Sequence, residues 1–417
     1  MSRILIKHAS ELVTCKGTAP KHGKDMSDIG RIGDGAVLIE DDRIVCAGTT
    51  DEVLKGIDEA ACEVIDATGK TVLPGFVDSH THFIFGGYRA DEFSWRLKGD
   101  TYMSIMERGG GINATVVPTR SATQQELVSV GRERLNRMLE FGVTTVEGKS
   151  GYGMDHDCEM NMLRAMKELD ETHPVDVVST FMGPHSVLPE WKGKERAYID
   201  FVLNDVMPDV KKEQLAEFAD IFTEKGVFNA ADTAYYLEHA KEAGFKLKIH
   251  ADEMFAIGGT KVAVKAGAHS ADHLLKVTDE GIGLLAESDT IATLLPCTAF
   301  CLKEPYAPAR KLIDAGCAVA LASDFNPGSC FTNSIPLIVA LGCIYMNMSI
   351  EEVITALTIN GAAAVGRADR IGSVEAGKQA DLVILKHPSV NYMPYHTTIN
   401  LVERVIKKGR TVYEKTW

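Results

Sequence analysis

The sequence predicts an α/β protein: a (β/α)8 TIM barrel with a small β-sandwich domain formed by both chain ends. Three observations carry that expectation. A unit of helix, glycine, short apolar strand and strand-end polar residue recurs through the middle of the chain. Both ends are rich in short extended runs and unlike the middle. The repeat region, residues 71–366, is long enough for a barrel, which takes about 250 residues before insertions.

The elements follow in order. Extended runs at 3–6, 36–40, 43–47 and 63–65 are broken by turn residues. Residues 16–30, rich in Gly, Lys and Asp, are expected to form a surface excursion. The first barrel strand is expected over 72–79. A helical stretch at 126–141, Gly142 and an apolar run at 143–146 form the first clear repeat. Strands at 175–182 and 218–223 come next. Helix 231–243, Gly244 and strand 245–249 lead to His250; helix 261–266, Gly267 and strand 268–272 lead to His273. After a strand at 290–295, helix 308–315, Gly316 and strand 317–323 lead to Asp324. The glycine stands where a helix C-cap takes a left-handed residue, and the apolar runs suit buried parallel strands. Runs at 382–385, 402–407 and 411–413 return to the small domain, so the expected division is 1–70 with 367–417 around a barrel at 71–366. A doubly wound open sheet is the weaker alternative, because no G-x-G-x-x-G follows the first strand.

The 417 residues are 45% hydrophobic and 24% charged, ordinary globular values. Lys and Arg total 44 against 58 Asp and Glu, a net charge of -14. An acidic surface of this kind excludes nucleic acid and anionic lipid as main partners but permits a small anionic substrate. Nine scattered cysteines without a CxxC pair read as reduced thiols, with Cys297 and Cys301 as core thiols. The chain start does not read as a signal peptide, and no apolar run approaches the ~18 residues of a membrane span. The expectation is a soluble cytoplasmic protein.

In such a barrel the C-terminal strand ends face the active site. The polar residues there are His80, His82, Tyr152, His185, His250 with Glu253, His273 and Asp324. His80 and His82 are two apart on an extended run, so both imidazoles face one way and can reach one ion. With His250 and Asp324 they make three imidazoles and one carboxylate, a donor set for a single metal, zinc or iron, divalent or trivalent. Lys225, near the end of the fourth strand, reads as an exposed lysine rather than a bridge between two metals. His273 and Glu253 are both candidates for the acid/base, and spacing does not choose between them.

GKTVLPGFVDSHTH (residues 69–82) resembles the opening signature of the amidohydrolase superfamily, and IGSVEAGKQADLV (371–383) its closing one. FIFGGYR (83–89), EGKSGYG (147–153) and DFNPGS (324–329) are similar to motifs of its imidazolonepropionase family, and the likeness spans the chain. The resemblance implies metal ligation by His80, His82, His250 and Asp324. It implies substrate contacts from Arg89, Tyr102, Tyr152, His185, Glu253, Asn326, Gly328 and Ser329. The implied reaction is hydrolysis of the cyclic amide of 4-imidazolone-5-propanoate to N-formimidoyl-L-glutamate in histidine degradation, by a metal-activated water. Arg89 would offer a planar fork to the propanoate of this small anionic imidazolone. A homodimer is also implied. The alternatives are a nucleobase or aryl-amine deaminase of the same superfamily, whose His-x-x-Glu residues 250–253 match, and a barrel that has lost its chemistry. A neutral nucleobase would give Arg89 nothing to pair with.

Overall fold

Glycines follow the helices of the repeat, and side-chain caps start two of them, at Thr123 and Asn229. Thr123 accepts from the Glu126 N–H and the Glu126 carboxylate returns to the Thr123 N–H, a capping box at the start of helix Gln124–Glu140. Gly142 then turns the chain at φ +86° into the strand Val143–Lys149. Helix Gly259–Ala266 has no side-chain cap, but it too ends on a left-handed glycine, Gly267 at φ +72°, before strand Ser270–His273. The computed structural model describes residues 2–100, 104–105, 108 and 110–415.

Eight parallel barrel strands run in sequence order. They are strand 1 (Phe76–Asp78), strand 2 (Val143–Lys149), strand 3 (Asp176–Phe181), strand 4 (Phe218–Ala219, continued by Phe222–Thr223), strand 5 (Lys246–Ala251), strand 6 (Ser270–His273), strand 7 (Ile291–Leu294) and strand 8 (Val319–Leu321). Register places His250 beside Phe222 on one side and beside Asp272 on the other. The ring closes just past the ends of strands 8 and 1, where Asp324 N–H donates to the His80 carbonyl at 3.0 Å and His82 N–H to the Phe325 carbonyl at 2.8 Å. That seam brings together residues about 240 positions apart along the chain.

The small domain has two sheets. One is four-stranded, in the order Arg43–Thr49, Gly35–Glu40, Arg3–Ala9, Glu63–Asp66. The other is six-stranded, in the order Arg410–Glu414, Val402–Lys407, Leu382–Leu385, Thr71–Pro74, Glu11–Val13, Arg31–Ile32. Ile4, Ile6, Val37 and Ile39 of the first pack against Leu12, Val72, Leu382, Ile384 and Ile406 of the second in one apolar cluster.

One expectation needs correction and another refinement. The run at 72–79 is two strands: Thr71–Pro74 pairs antiparallel with Leu382–Leu385 in the small domain, and the barrel starts only at Phe76. Gly75 allows the break because a Cβ there would lie 2.3 Å from the Thr144 hydroxyl. Residues 16–30 lie mostly at the surface, as expected, but the segment is pinned to the barrel. Met26 and Ile29 are buried in the main core, Gly23 N–H donates to the Cys317 carbonyl, and Thr355 Oγ1 donates to the Met26 carbonyl. Two apolar side chains anchor an otherwise polar loop beneath strand 8.

Candidate active site

His80 and His82 leave strand 1, His250 lies near the end of strand 5, and Asp324 follows strand 8. All four are buried. The ligand atoms of His80, His82 and His250 lie within 4.8 Å of one another. His82 Nε2 is 3.4 Å from His250 Nε2, and Asp324 Oδ1 is 3.6 Å from His80 Nε2 and 3.7 Å from His82 Nε2. His80 Nε2 has no hydrogen-bond partner among the described residues. Four electron-pair donors facing one point, with an orphaned nitrogen among them, fit a cation.

The second nitrogens are tied down. His80 Nδ1 donates to Asp272 Oδ2 at 2.6 Å, and His250 Nδ1 donates to Asp220 Oδ1 at 3.1 Å. Each bond fixes the tautomer and turns the Nε2 lone pair inward. Thr298 Oγ1 donates to Asp324 Oδ2 at 2.6 Å, which leaves Oδ1 toward the histidines. Burial holds His80 and His82 well below the usual histidine range, so they are neutral and ligand-ready. Burial also pushes Asp324 up to about 6.

Beneath the imidazoles lies a buried ionic network that sequence reasoning missed. Lys149 Nζ is 2.7 Å from Asp220 Oδ2, 2.9 Å from Glu147 Oε1 and 3.6 Å from Asp272 Oδ2. Lys248 Nζ donates to Glu147 Oε2 at 2.7 Å and to the Ser79 carbonyl at 3.1 Å. A signal was present: Glu147 and Lys149 are charged residues two apart on a strand expected to be buried, and Lys248 is two before His250.

The ligand cluster opens into a cavity of about 570 Å³. Arg89, Tyr152, His185, Glu253, His273, Asn326, Gly328 and Ser329 all line it. His185 stacks on His82 at 4.8 Å and donates from Nδ1 to the Gly151 carbonyl. Tyr152 lies 5.8 Å from His82, ring to ring. Asn326 Oδ1 accepts the N–H groups of Gly328 and Ser329 at 2.9 and 2.8 Å, which shapes the loop after strand 8. His273 Nδ1 is 3.6 Å from Glu253 Oε2, and neither ring nitrogen of His273 has a hydrogen-bond partner among the described residues. Burial, then the charges of Asp324 and Glu224, push Glu253 up to about 8.

Arg89 combines two readings that the sequence had set against each other. Its Nε and Nη2 both donate to Glu92 Oε2, at 3.0 and 2.8 Å, yet the pair is almost buried and Arg89 lines the cavity. Arg96, not singled out from the sequence, lines the cavity too and donates from Nη2 to the Gly328 carbonyl at 3.1 Å. Lys225 also lines the cavity, with Nζ 4.9 Å from the Phe255 ring centre. Cys297 is buried and Cys301 half-buried. Tyr102 lies outside the described residues.

The profile of the amidohydrolase family matches residues 71–412. An imidazolonepropionase of Clostridium tetani (strain Massachusetts / E88) is 54% identical over 414 residues, 99% of each chain. The chain belongs to the imidazolonepropionase family of amidohydrolases. A second relative of that family, from Porphyromonas gingivalis (strain ATCC BAA-308 / W83), is 55% identical over 412 residues, 98% of this chain and 97% of its own. Solved structures at low identity share the amidohydrolase fold. Atrazine chlorohydrolase from Arthrobacter aurescens TC1 complexed with zinc has a TM-score of 0.71 at 16% identity, covering 99% of this chain and 95% of its own. An adenosine deaminase from Xanthomonas campestris with bound zinc has a TM-score of 0.68 at 16% identity, covering 98% and 92%. Like its imidazolonepropionase relatives the chain is a hydrolase, and its three clustered histidines are spaced closely enough to hold a metal ion. Among the described residues no helix is long and apolar enough to cross a membrane.

Proposed function

We propose that this protein hydrolyses the cyclic amide of 4-imidazolone-5-propanoate to N-formimidoyl-L-glutamate, a step of histidine degradation. One observation carries the reading: His82, His250 and Asp324 of the donor cluster line the same cavity as Arg89 and Arg96. That pairing suits a small ring bearing a carboxylate. The name shared by relatives at 54 and 55% identity supports it. His80, His82, His250 and Asp324 would hold one ion, zinc or iron. A second donor group, His80, Glu147 and Asp272, is also closely spaced, but the Lys149 and Lys248 ammoniums already occupy its carboxylates, which favours a single ion.

When bound, such an ion lowers the pKa of its water to about 7 and polarises a carbonyl oxygen. The remaining work falls to side chains. Arg89, held by Glu92, and Arg96 receive the propanoate. Tyr152, His185 and Asn326 orient the ring by its few polar atoms. His273, whose ring nitrogens have no hydrogen-bond partner among the described residues, takes the proton of the attacking water as its oxygen adds to the ring carbonyl carbon. The carbon–nitrogen bond of the ring then breaks, and the proton passes to the departing nitrogen. Glu253 beside His273 contacts the ring and steadies the base.

The test is a purified-protein assay that follows loss of imidazolone propanoate absorbance, with and without chelator. Chelator-sensitive turnover supports the reading. No turnover by metal-loaded protein, with ammonia released from a nucleobase instead, would replace it with a deaminase.

A further inference from the structure

Two of the three clustered imidazoles are aimed by carboxylates, and those carboxylates converge on one ammonium. Asp220 holds His250 and Asp272 holds His80; Lys149 Nζ reaches both, at 2.7 and 3.6 Å. Lys149, Glu147, Asp220, Lys248 and Asp272 are all fully buried. The carboxylates come from strands 6 and 4, and Lys149 ends strand 2, so one side chain ties three strands beneath the metal-site histidines. Asp220 is further fixed by the Ile221 N–H at 2.7 Å. Asp272 Oδ1 has no partner among the described residues, so Lys149 and His80 are its anchors.

A carboxylate can hold an imidazole N–H in one direction only if its own direction is fixed. Two buried carboxylates this close repel each other unless a cation lies between them. Lys149 supplies that cation and also pairs with Glu147, whose other oxygen Lys248 occupies. We infer that Lys149 is a positioning residue for the metal site: it aligns Asp272 and Asp220, which in turn aim His80 Nε2 and His250 Nε2 at the ion. The inference rests on the reading of His80, His82, His250 and Asp324 as the ion's ligands.

The sign of the effect separates this role from a simple field effect. A nearby positive charge repels a bound cation, so by Coulomb's law alone, removing Lys149 would tighten metal binding. Positioning demands the reverse. The experiment measures metal retained by the full-length protein against graded chelator, with far-ultraviolet circular dichroism to check the fold. Lys149→Met is expected to weaken retention by about 10- to 100-fold. Glu147→Gln alters the same network but keeps an oxygen for Lys149 and touches neither aiming carboxylate, so it is expected to stay within about threefold of wild type. Unchanged or tighter retention in Lys149→Met, or equal losses in both variants, would overturn the inference. If Lys149→Met does not fold, Asp272→Asn decides, since it keeps the volume: a loss of retention supports the relay and wild-type retention overturns it. A wild-type protein that holds no metal would overturn the ligand assignment itself, and the relay with it.

Discussion

Arg89 spends two of its donors on Glu92 and keeps Nη1 beside Gly328, where a Cβ would lie only 2.4 Å away. Its side chain is 11% exposed and that of Glu92 6%, so this is a desolvated pair rather than a surface one. Arg89→Met therefore has two expected costs. Loss of the grip on the substrate carboxylate should lower kcat/KM by about 2–5 kcal/mol, and a substrate analogue without the carboxylate should be nearly indifferent. Glu92 left buried without its partner should also lower stability by about 3–5 kcal/mol, visible in denaturant unfolding. Equal kinetic losses for acid and analogue would assign Arg89 to the fold alone. His273 is the other decisive residue, standing 3.6 Å from Glu253 at a backbone φ of +79°. His273→Asn is expected to keep its metal, by elemental analysis, and to lose about 10²- to 10⁴-fold in kcat. Near-normal turnover would move the proton transfer to Glu253, to be checked with Glu253→Gln.

The loop after strand 8 joins the metal site to the cavity wall. Asp324 stands at its start, the Asn326 amide donates to the Asp324 carbonyl and to Ser329 Oγ, and the Gly328 carbonyl accepts from Arg96. Gly328 has no positive φ to maintain; its role is to let the guanidinium of Arg89 approach the backbone. Gly328→Ala should push that guanidinium aside and raise KM about tenfold or more, while metal content stays at the wild-type level. Loss of metal in this variant would show that the loop holds Asp324 rather than the substrate side.

For the molecule as a whole, metal binding is linked to protons and to stability. The ligands bind a cation only in their deprotonated forms. Burial keeps His80 and His82 neutral far into the acid range, whereas the Asp324 carboxyl is pushed up to about 6. Above that value the carboxylate is free for the ion; below it the ion must displace a proton. Metal affinity should therefore be flat above about pH 7 and fall by roughly tenfold per unit below about pH 6, as read by chelator competition. Because His80, His82, His250 and Asp324 come together only in the folded chain, an ion held by them should stabilise it, and the thermal midpoint should drop on its removal. An affinity that stays level through pH 5 would contradict the assignment of Asp324 as a ligand.

The eight-strand repeat was legible in the sequence because four copies carry a helix, a glycine such as Gly142 or Gly267 and an apolar run, and the other strands carry the apolar run. His80 and His82 were legible because a strand alternates its faces every two residues, and His250 and Asp324 because each ends an apolar run. Those are short-range properties, set within a few residues. Pairing is not. Thr71–Pro74 left the barrel for the small domain because Leu382–Leu385, more than 300 residues away, offered the antiparallel edge. Met26 and Ile29 were buried by a surface that forms only when strand 8 and the following helices are in place. The same holds for charge. Nothing local to Lys149 says that Asp220 and Asp272 will meet its ammonium, because that meeting depends on the closed ring of strands 2, 4 and 6. Local periodicity and caps determined the elements and the ligand types. Which buried charges face each other was decided by barrel closure, since Coulomb and hydrogen-bond energies depend on distances that only the assembled fold sets.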